Sequence, residues 1–452
     1  MAVWSKVNVC ELGHAQRIEA DYYRPHYLEV AARLEAIKSV PLTRHLGYLT
    51  DGTHVTPKYV TEGVPFLSSS DIDPFIVAPV IEKFISETEH SRLRHCQPDG
   101  GDILMSKSGR IGSCAVVPSS INKGDWNIYE GVALLRTAGV DPHYIAAFLN
   151  SKYGQSQIRR ELKGVAQPHL HLEDIRRLKL FVPEPCEMVD VSALVTGGMQ
   201  QAESAHRIFR DAQSALEAEL GLDKLTFQKP VGYIANFSEL ETSHRSDAQH
   251  YQPRFKQLID HLSGFPSARL REIRSLNRRG LQPIYMRNGQ VDVVNSQHLG
   301  PKHIDYDGLE KTSTKEFSAA PEAHIQKDDL LIYTTGAYIG RTNVYLSDAH
   351  AMASNHVNII RLHPGIDPAY MALVFQSIVG QFQTQQHARG SAQAELYPSD
   401  IDRFVVPLLD GGKQKTIGGL LRESLVKQQE SQTLLDQAKT RVEQLIEAAV
   451  QP

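Results

Sequence analysis

The sequence is poor in the features that mark many protein classes. It has four cysteines and two tryptophans in 452 residues, and Cys10, Cys96, Cys114 and Cys186 form no Cys-x-x-Cys pair. This spacing excludes a cysteine-based zinc site and argues against a disulfide-stabilised secreted scaffold. We therefore expect reduced, partly buried thiols in a cytoplasmic protein.

Long hydrophobic runs are missing as well. No apolar stretch approaches the ~20 residues of a membrane-spanning helix, and the N-terminus lacks the apolar core and small-residue cleavage site of a signal peptide. The apolar content of 41% and the charged content of 22% are typical of an ordinary globular protein. We expect no membrane partner.

What the sequence does have is an internal repeat. Asp102–Gly112 reappears as Asp329–Gly340, Asp141-Pro142 reappears as Asp367-Pro368, and Gly164 as Gly390. A repeat of this length indicates a duplicated domain, because solenoid units run only about 20–50 residues. Duplication in turn suggests a target with two similar halves.

The copies share turn-forming glycines and prolines but differ in polar residues at equivalent places. Ser106-Lys107-Ser108 stands where the second copy has Tyr333-Thr334-Thr335. One scaffold with different donors and acceptors at the same place is what two recognition sites for two different targets need. If the target is a nucleic acid, these polar groups are the ones that can contact base edges. The base-reading candidates are Ser68, Ser69, Ser70, Lys107, Ser108 and Arg110 in the first copy, and Asn295, Gln297, Thr334, Thr335, Tyr338 and Arg341 in the second. A turn cap at Ser68–Ser70 and a solvated hairpin tip at Lys107–Arg110 are the alternatives.

Basic residues are clustered although the net charge is −4. Focused basic patches on a mildly acidic scaffold are compatible with DNA binding. We predict that Arg159, Arg160, Lys163, Arg278 and Arg279 contact the phosphate backbone and position the duplex. For Arg159 and Arg160, an exposed helix face is the alternative.

The pattern of each copy predicts an α+β domain. A one-sided helix is followed by short apolar runs between Gly, Pro and Asn, as in an irregular sheet. The runs are Val64–Leu67, Asp102–Met105, Cys114–Val117 and Val132–Leu135, matched by Leu330–Tyr333, Thr342–Leu346 and Val357–Ile360. A helix is predicted at Tyr144–Leu162 and again at Tyr370–His387.

A long helix with few breakers follows each copy. Between residues 417 and 447 two sets of residues recur at about seven-residue intervals: Leu421, Gln428, Leu435 and Val442, and Leu425, Gln432, Ala438 and Leu445. Residues 199–220 carry a shorter stripe of Ala205, Ile208, Ala212, Ala215 and Leu220. This spacing predicts an antiparallel coiled coil of the two helices. Two independent amphipathic helices are the alternative.

Catalytic motifs are scarce. The chain has no Gly-x-Gly-x-x-Gly, no phosphate-binding loop and no Gly-x-Ser-x-Gly. It also lacks the Asn/Asp-Pro-Pro-Tyr/Phe tetrapeptide of adenine methyltransferases and the paired carboxylate-x-Lys motif of nucleases. His169, His171 and Glu173 are the densest metal-like cluster, but Glu395-Leu-Tyr397 replaces it in the second copy. We therefore predict a binding protein without catalytic residues or a metal site.

In this order, twice, the motifs resemble those of the specificity subunits of type I restriction–modification enzymes. They are Asp21–Tyr27, Asp51–Tyr59 with its counterpart Arg278–Tyr285, Gly101–Gly112 and Leu172–Pro183. The resemblance implies target-recognition domains at 1–186 and 229–410, and spacer helices at 187–228 and 411–452. Asp21-Tyr22-Tyr23 becomes Gln249-His250-Tyr251, so the opening motif is degraded in the second copy.

The resemblance also implies partners. Each domain would read one half of a split site in double-stranded DNA. DNA adenine methyltransferase (modification) subunits would hold S-adenosylmethionine, and a motor-nuclease (restriction) subunit can join them. A type IIB-like or other defence methyltransferase system uses the same architecture. A protein-bridging scaffold that does not bind DNA is the alternative from another class.

Overall fold

The computed structural model describes residues 4–9, 12, 17–37, 39–164, 168–227, 230–390 and 393–450. Cys10 lies outside these residues. The chain forms two compact units: Met1–Ser204 together with Lys427–Pro452, called unit 1, and Ala205–Val426, called unit 2.

Unit 1 contains the first copy of the repeat. Its strands are β1 (Val40–Pro41), β2 (Leu46–Asp51), β3 (Tyr59–Val60), β4 (Val64–Leu67), β5 (Phe84–Ile85), β6 (Ile103–Ser106), β7 (Cys114–Val116), β8 (Asn127–Ile128), β9 (Val132–Thr137) and β10 (Lys179–Leu180). Its helices are α1 (Pro25–Ala36), α2 (Glu87–Arg92), α3 (Pro142–Asn150), α4 (Lys152–Glu161) and α5 (Leu172–Arg177). The long helix α6 (Pro185–Leu220) follows and belongs to unit 1 as far as Ser204.

Unit 2 contains the second copy. Its strands are β11 (Ser267–Arg269), β12 (Arg274–Arg279), β13 (Val291–Val294), β14 (Glu310–Thr312), β15 (His324–Ile325), β16 (Leu330–Tyr333), β17 (Thr342–Val344), β18 (Ala351–Ala353), β19 (Val357–Leu362) and β20 (Val405–Pro407). Its helices are α7 (Phe237–Ser243), α8 (Pro253–Leu262), α9 (Leu270–Ile273), α10 (Thr314–Ala319), α11 (Pro368–Gln376), α12 (Ile378–His387) and α13 (Pro398–Ile401). The long helix α14 (Gly411–Val450) follows and belongs to unit 2 as far as Val426.

The main sheets of the two units have the same topology, whereas their second sheets share only part of the strand order. A four-stranded antiparallel sheet has the order β2-β9-β6-β7 in unit 1 and β12-β19-β16-β17 in unit 2. The edge strands β2 and β12 shift register at the same place, between Leu46 and Tyr48 and between Arg274 and Leu276. Each unit also has a second sheet with one parallel pair, β4-β8 or β13-β18. The predicted duplication and α+β class are confirmed.

Side chains that bond to the backbone are repeated along with the strands. Arg17 donates to the carbonyl oxygens of Glu161 and Leu162 at the end of α4. Arg245 does the same at the end of α12. The hydroxyls of Tyr144 and Tyr370, at the start of α3 and α11, both donate to a carbonyl near the closing strand. The shared residues of the repeat therefore hold the scaffold together.

The helix predicted at Tyr144–Leu162 is two helices, as is the one predicted at Tyr370–His387. Ser151 and Ser377 end one helix and cap the next, because each hydroxyl donates to a carbonyl behind it and accepts from an amide ahead. A Cβ on Gly154 would lie 2.4 Å from the carbonyl oxygen of Phe148. The chain therefore turns too tightly there for another residue, which apolar periodicity does not reveal.

The two long helices pair within each unit. In unit 2, Ser424 donates to the carbonyl oxygen of Ala205 at 2.8 Å, and Lys413 to Glu219 at 2.6 Å, so the segments run antiparallel. In unit 1, Leu435 packs on Gly198 in a core that also includes Val195. The coiled-coil prediction is confirmed.

The seam of α14 differs in detail from the prediction. Most of its buried residues recur at spacings of three and four positions, with the half-buried Gln428 in the one longer gap: Gln414, Ile417, Leu421, Ser424, Ser431, Leu435, Ala438, Val442 and Leu445. Gly418 and Ile446 are buried as well. The predicted Leu425 and Gln432 are half-buried flanks, and Ser424 and Ser431 take their place. Small residues fit there because the opposite helix is close, as at Ala205.

In the part of the chain that the structure describes, no helix is long and apolar enough to cross a membrane. Cys96 and Cys114 are buried free thiols, and Cys186 is an exposed one. Burial raises the pKa of Cys96 to about 11, so this thiol stays protonated and unreactive.

Candidate nucleic-acid interface

The divergent loops of unit 1 meet at one edge of its main sheet. Strands β2 and β6 both run antiparallel to β9, so their carboxyl ends lie together where β9 begins. The turn after β4 joins them, because the Ser108 hydroxyl donates to that of Ser69 at 3.0 Å. The geometry therefore brings Ser69 and Ser108 into one site, although 39 residues separate them in sequence.

Ser68 and Ser70 have local roles in the same turn. The backbone N–H and hydroxyl of Ser68 both donate to the Asp71 carboxylate, at 2.7 and 2.8 Å. The hydroxyls of Ser68 and Ser70 are 2.9 Å apart. This is the turn cap of the alternative interpretation, and it leaves the exposed Ser70 and half-buried Ser69 facing outward.

Lys107 and Arg110 lie in the same loop but differ in exposure. Lys107 is buried and ion-paired with Asp51, so its ammonium group supports the loop from beneath. Arg110 is exposed and pairs with Asp73. An exposed pair of this kind contributes little to stability, so Arg110 can exchange its partner for another acceptor.

In unit 2 the equivalent loops meet on one turn. The N–H and hydroxyl of Thr334 both donate to the carbonyl oxygen of His356 at 3.0 Å. The N–H of Leu281 donates to Ala353, and that of Gly280 to Val357. Residues 353–357, the central turn, thus hold the loop after β12 on one side and the loop after β16 on the other.

The central turn and the neighbouring Thr335 contain buried polar atoms that have no partner in the described part of the chain. Thr335 Oγ1, Ser354 Oγ and Asn355 Oδ1 have no hydrogen-bond partner among the described residues. A buried polar atom left unpaired costs about 1–3 kcal/mol, and such atoms concentrate where a ligand or ordered water completes the bonding. The turn is therefore equipped to bind a polar partner.

The other candidates of unit 2 are placed at different depths. Tyr338 is exposed, and the Arg341 guanidinium lies 3.7 Å from its ring centroid. Asn295 caps the turn after β13 by accepting from the N–H of Gln297, and its amide donates to Glu310 at 2.6 Å. Gln297 is exposed. Exposure favours Gln297 and Tyr338 as readers over the buried Thr334 and Thr335, and Arg341 is half-buried beside Tyr338.

The phosphate candidates form two groups. Arg159 and Arg278 are exposed, and no partner of either side chain is found in the described ranges. Arg160 donates to the carbonyl oxygen of Tyr22 at 3.0 Å and stacks over its ring, while Lys163 pairs with the buried Asp174 at 3.0 Å. Arg160 and Lys163 therefore stabilise the fold, whereas the Arg159 side chain has no partner among the described residues.

Arg279 is likewise tied down. It donates to the carbonyl oxygen of Leu396 at 3.0 Å and lies 3.5 Å from Glu395. A hydrogen bond from Tyr397, and then Arg279, hold the pKa of Glu395 below its usual range. Arg278 is adjacent to Arg279 on β12, so its side chain points to the opposite face of the strand. This orientation explains why Arg278 has no partner among the described residues.

Other features of the interface were not predicted as functional. His54 lies 2.9 Å from Glu130, beside the Asp51–Lys107 pair. The segment Leu281–Met286 exposes several apolar side chains. Both features lie in one repeated motif, which is Asp51–Tyr59 in the first copy and Arg278–Tyr285 in the second. The difference in sequence between these two segments is the signal that could have identified them as functional.

Within the described ranges, no group of three potential ligands could hold a metal ion. His169 and His171 are exposed, and His171 starts α5. The side chains at the carboxyl ends of the main-sheet strands can donate and accept hydrogen bonds and attract phosphate. These are the interactions that recognition of a ligand requires.

Neither a scan of protein-family models nor a search of curated proteins finds a match to this chain. Solved structures do match. The Type-I restriction-modification system S subunit from M. genitalium is 11% identical, with 92% of this chain and 96% of that chain covered and a TM-score of 0.46. The HsdS subunit from Thermoanaerobacter tengcongensis is 15% identical, with 91% and 95% covered and a TM-score of 0.29. A structure from a study of complex assembly and conformational transition of the type I R-M system is 14% identical, with 91% and 96% covered and a TM-score of 0.29. The family named in these structures is the one that the sequence motifs resemble.

Proposed function

We propose that this chain is the DNA-specificity subunit of a restriction–modification complex. Each copy reads one half of a bipartite site in double-stranded DNA, and the paired helices set the gap between the halves. The chain itself contributes recognition and no catalysis.

One observation carries the proposal. The contacts that hold the scaffold are the same in both copies, as with Arg17 and Arg245. At the carboxyl ends of the same strands, however, the first copy presents Ser69, Ser108 and Arg110 and the second presents Tyr338 and Arg341. Arginine pairs with guanine, and serine can bond to several bases. A constant frame with exchanged polar groups suits two half-sites of different sequence.

The partners follow from the proposed role. DNA adenine methyltransferase subunits would bind S-adenosylmethionine and modify the site, and a motor-nuclease subunit would join for cleavage. Type IIB-like systems remain the second assignment, since the recognition role is common to both. Arg159 and Arg278, exposed and without partners among the described residues, are the groups available for phosphate contact.

The experiment is selection of bound duplexes from a randomised pool by the full-length chain. We expect two short motifs at a fixed separation. Arg110→Ala should relax one or more positions in one half only, and Arg341→Ala in the other half only, each by about 1–3 kcal/mol.

Arg44 and Arg271 provide matched controls. Both are exposed arginines just before β2 and β12, at the opposite ends of these strands. Their replacement by alanine should leave both motifs unchanged. Enrichment of no motif, or of a single undivided motif, would overturn the proposal and favour a protein-bridging scaffold.

A further inference from the structure

The loop after β12 has a fixed backbone. Leu281 donates from its N–H to Ala353 at 3.1 Å, and Met286 donates to Lys311 at 2.8 Å. The carbonyl oxygen of Ile284 accepts from the Thr312 hydroxyl at 2.8 Å, and Pro283 is buried between them. The loop Leu281–Arg287, called the apolar loop, therefore holds its side chains in set directions.

Those side chains are apolar and exposed. Leu281 is 41% exposed, Ile284 65%, Tyr285 41% and Met286 46%. Single exposed apolar residues need no explanation, but a contiguous set on a pinned backbone marks an interaction surface.

Charge and position identify the occupant as the DNA duplex. The apolar loop is bracketed by Arg278 and Arg287, both exposed, which suit a partner with phosphates beside an apolar surface. It also shares the central turn with the loop of Thr334, since both bond to carbonyls of residues 353–357. The start of the apolar loop thus lies beside the loop of Thr334 in the same unit.

The first copy has a different residue at this place. Pro57 is buried like Pro283, so Lys58-Tyr59 corresponds to Ile284-Tyr285. Lys58 is exposed and can reach a phosphate, whereas Ile284 cannot. The two copies therefore differ in chemistry at this one position, although the first copy also exposes Val55 and Tyr59 in the equivalent segment.

We propose that the apolar loop of the second copy packs, chiefly through Ile284, against thymine methyl groups in the major groove of its half-site. Thymine is the base that presents a methyl group there, and an isoleucine side chain on a pinned loop suits such a contact. In the first copy, Lys58 contacts a phosphate instead. This inference rests on the proposed function and names the contact that distinguishes the second half-site.

The test uses the full-length chain and its selected duplex, with thymines replaced one at a time by deoxyuridine. This change removes only the methyl group. At one or more positions of the second half-site we expect about fourfold weaker binding, the size of one lost apolar group. Ile284→Ala should bind the unmodified duplex more weakly and should lose that response to deoxyuridine.

Lys58→Ala is the matched variant in the first copy. It should lower the salt dependence of binding by about one unit and keep the full deoxyuridine response in the second half-site. Since both side chains are exposed, neither change should alter the thermal unfolding midpoint.

The results separate this inference from the proposed function. If no bipartite motif is selected, the function itself fails. If a motif is selected but deoxyuridine has no effect, or the second half-site contains only G·C pairs, only the thymine contact is overturned. A loss of binding to a protein partner by Ile284→Ala, with DNA binding unchanged, would also overturn it.

Discussion

Arg361 donates two hydrogen bonds to the buried carboxylate of Asp329, both at 2.8 Å. Arg136 binds Asp102 in the same two-pronged way, at 2.9 and 2.7 Å. Each aspartate immediately precedes the strand that pairs with the arginine's strand, so the pair locks two neighbouring strands together at the end of the main sheet opposite the divergent loops.

Removing one partner of this pair should destabilise unit 2. Arg361→Met would leave the Asp329 carboxylate buried and unpaired, and the free energy of unfolding should fall by about 3 kcal/mol in a urea titration. Arg361→Met with Asp329→Asn should recover part of the loss. Arg341→Met, which breaks only the contact with Tyr338, should cost less than 1 kcal/mol. Equal losses for Arg361→Met and Arg341→Met would contradict a structural role of the pair.

The neighbouring glycines of α6 should respond differently to alanine. A Cβ on Gly198 would lie 2.7 Å from Leu435, whereas one on Gly197 would be 3.5 Å from Leu434. Gly198→Ala should therefore lower the free energy of unfolding of unit 1 by about 1–3 kcal/mol through overpacking. Gly197→Ala should raise it by up to about 1 kcal/mol, because alanine favours the helix. Stabilisation by both changes would show that the helices are not in close contact.

Stability should depend on pH through His387. Burial, and then the nearby His250, lower the pKa of His387 from 6.5 to about 4. The unfolded chain binds the proton more readily, so stability is full above the unfolded pKa and falls as the pH drops from about 6.5 to 4. At about 1.4 kcal/mol per pKa unit, the loss approaches about 3 kcal/mol.

His387→Phe provides the control, because a ring remains but cannot be protonated. Urea titrations at pH 7 and pH 5 should differ less for this variant than for the parent chain. An identical pH dependence in both would exclude His387 as the group responsible.

Phosphate contacts should be made by the free arginines. Arg278→Ala and Arg159→Ala should each lower the slope of log K against log salt concentration by about one unit, without changing the half-site motifs. Arg160→Ala should instead lower the unfolding midpoint, because Arg160 bonds to Tyr22. Gel shifts at several salt concentrations check this, and an unchanged slope for Arg278→Ala would remove it as a contact.

Much of the scaffold could be predicted from the sequence, because its determinants are local. The turn glycines Gly164 and Gly390 have φ values of 92° and 94°, and such positions stand out wherever the repeat is aligned. Asp141 and Asp367 likewise cap α3 and α11 as the Asp-Pro pattern indicates. Because each of these motifs occurs in both copies, a signal that is weak in one copy is supported by the same signal in the other.

The site was less predictable because it depends on long-range pairing. Nothing near Lys107 in sequence shows that Asp51 lies beneath it, and nothing near Arg279 indicates Glu395. Clusters of basic residues predicted phosphate contacts, but only the three-dimensional partners separate the free Arg278 from its bound neighbour.

The proposal that the paired helices set the gap between the half-sites is tested most directly by lengthening both long helices together. Four residues inserted after Ser204 and four after Val426 would add about 6 Å to each helix at 1.5 Å per residue. Insertion in both preserves the pairing on either side, whereas insertion in α6 alone would put the Lys413–Glu219 contact out of register.

The measurement is selection of bound duplexes by the full-length chain with and without these insertions. At 3.4 Å per base pair, we expect both half-site motifs unchanged and the gap between them longer by one or two base pairs. Changed half-sites with an unchanged gap would contradict the claim that the paired helices set the gap between the half-sites.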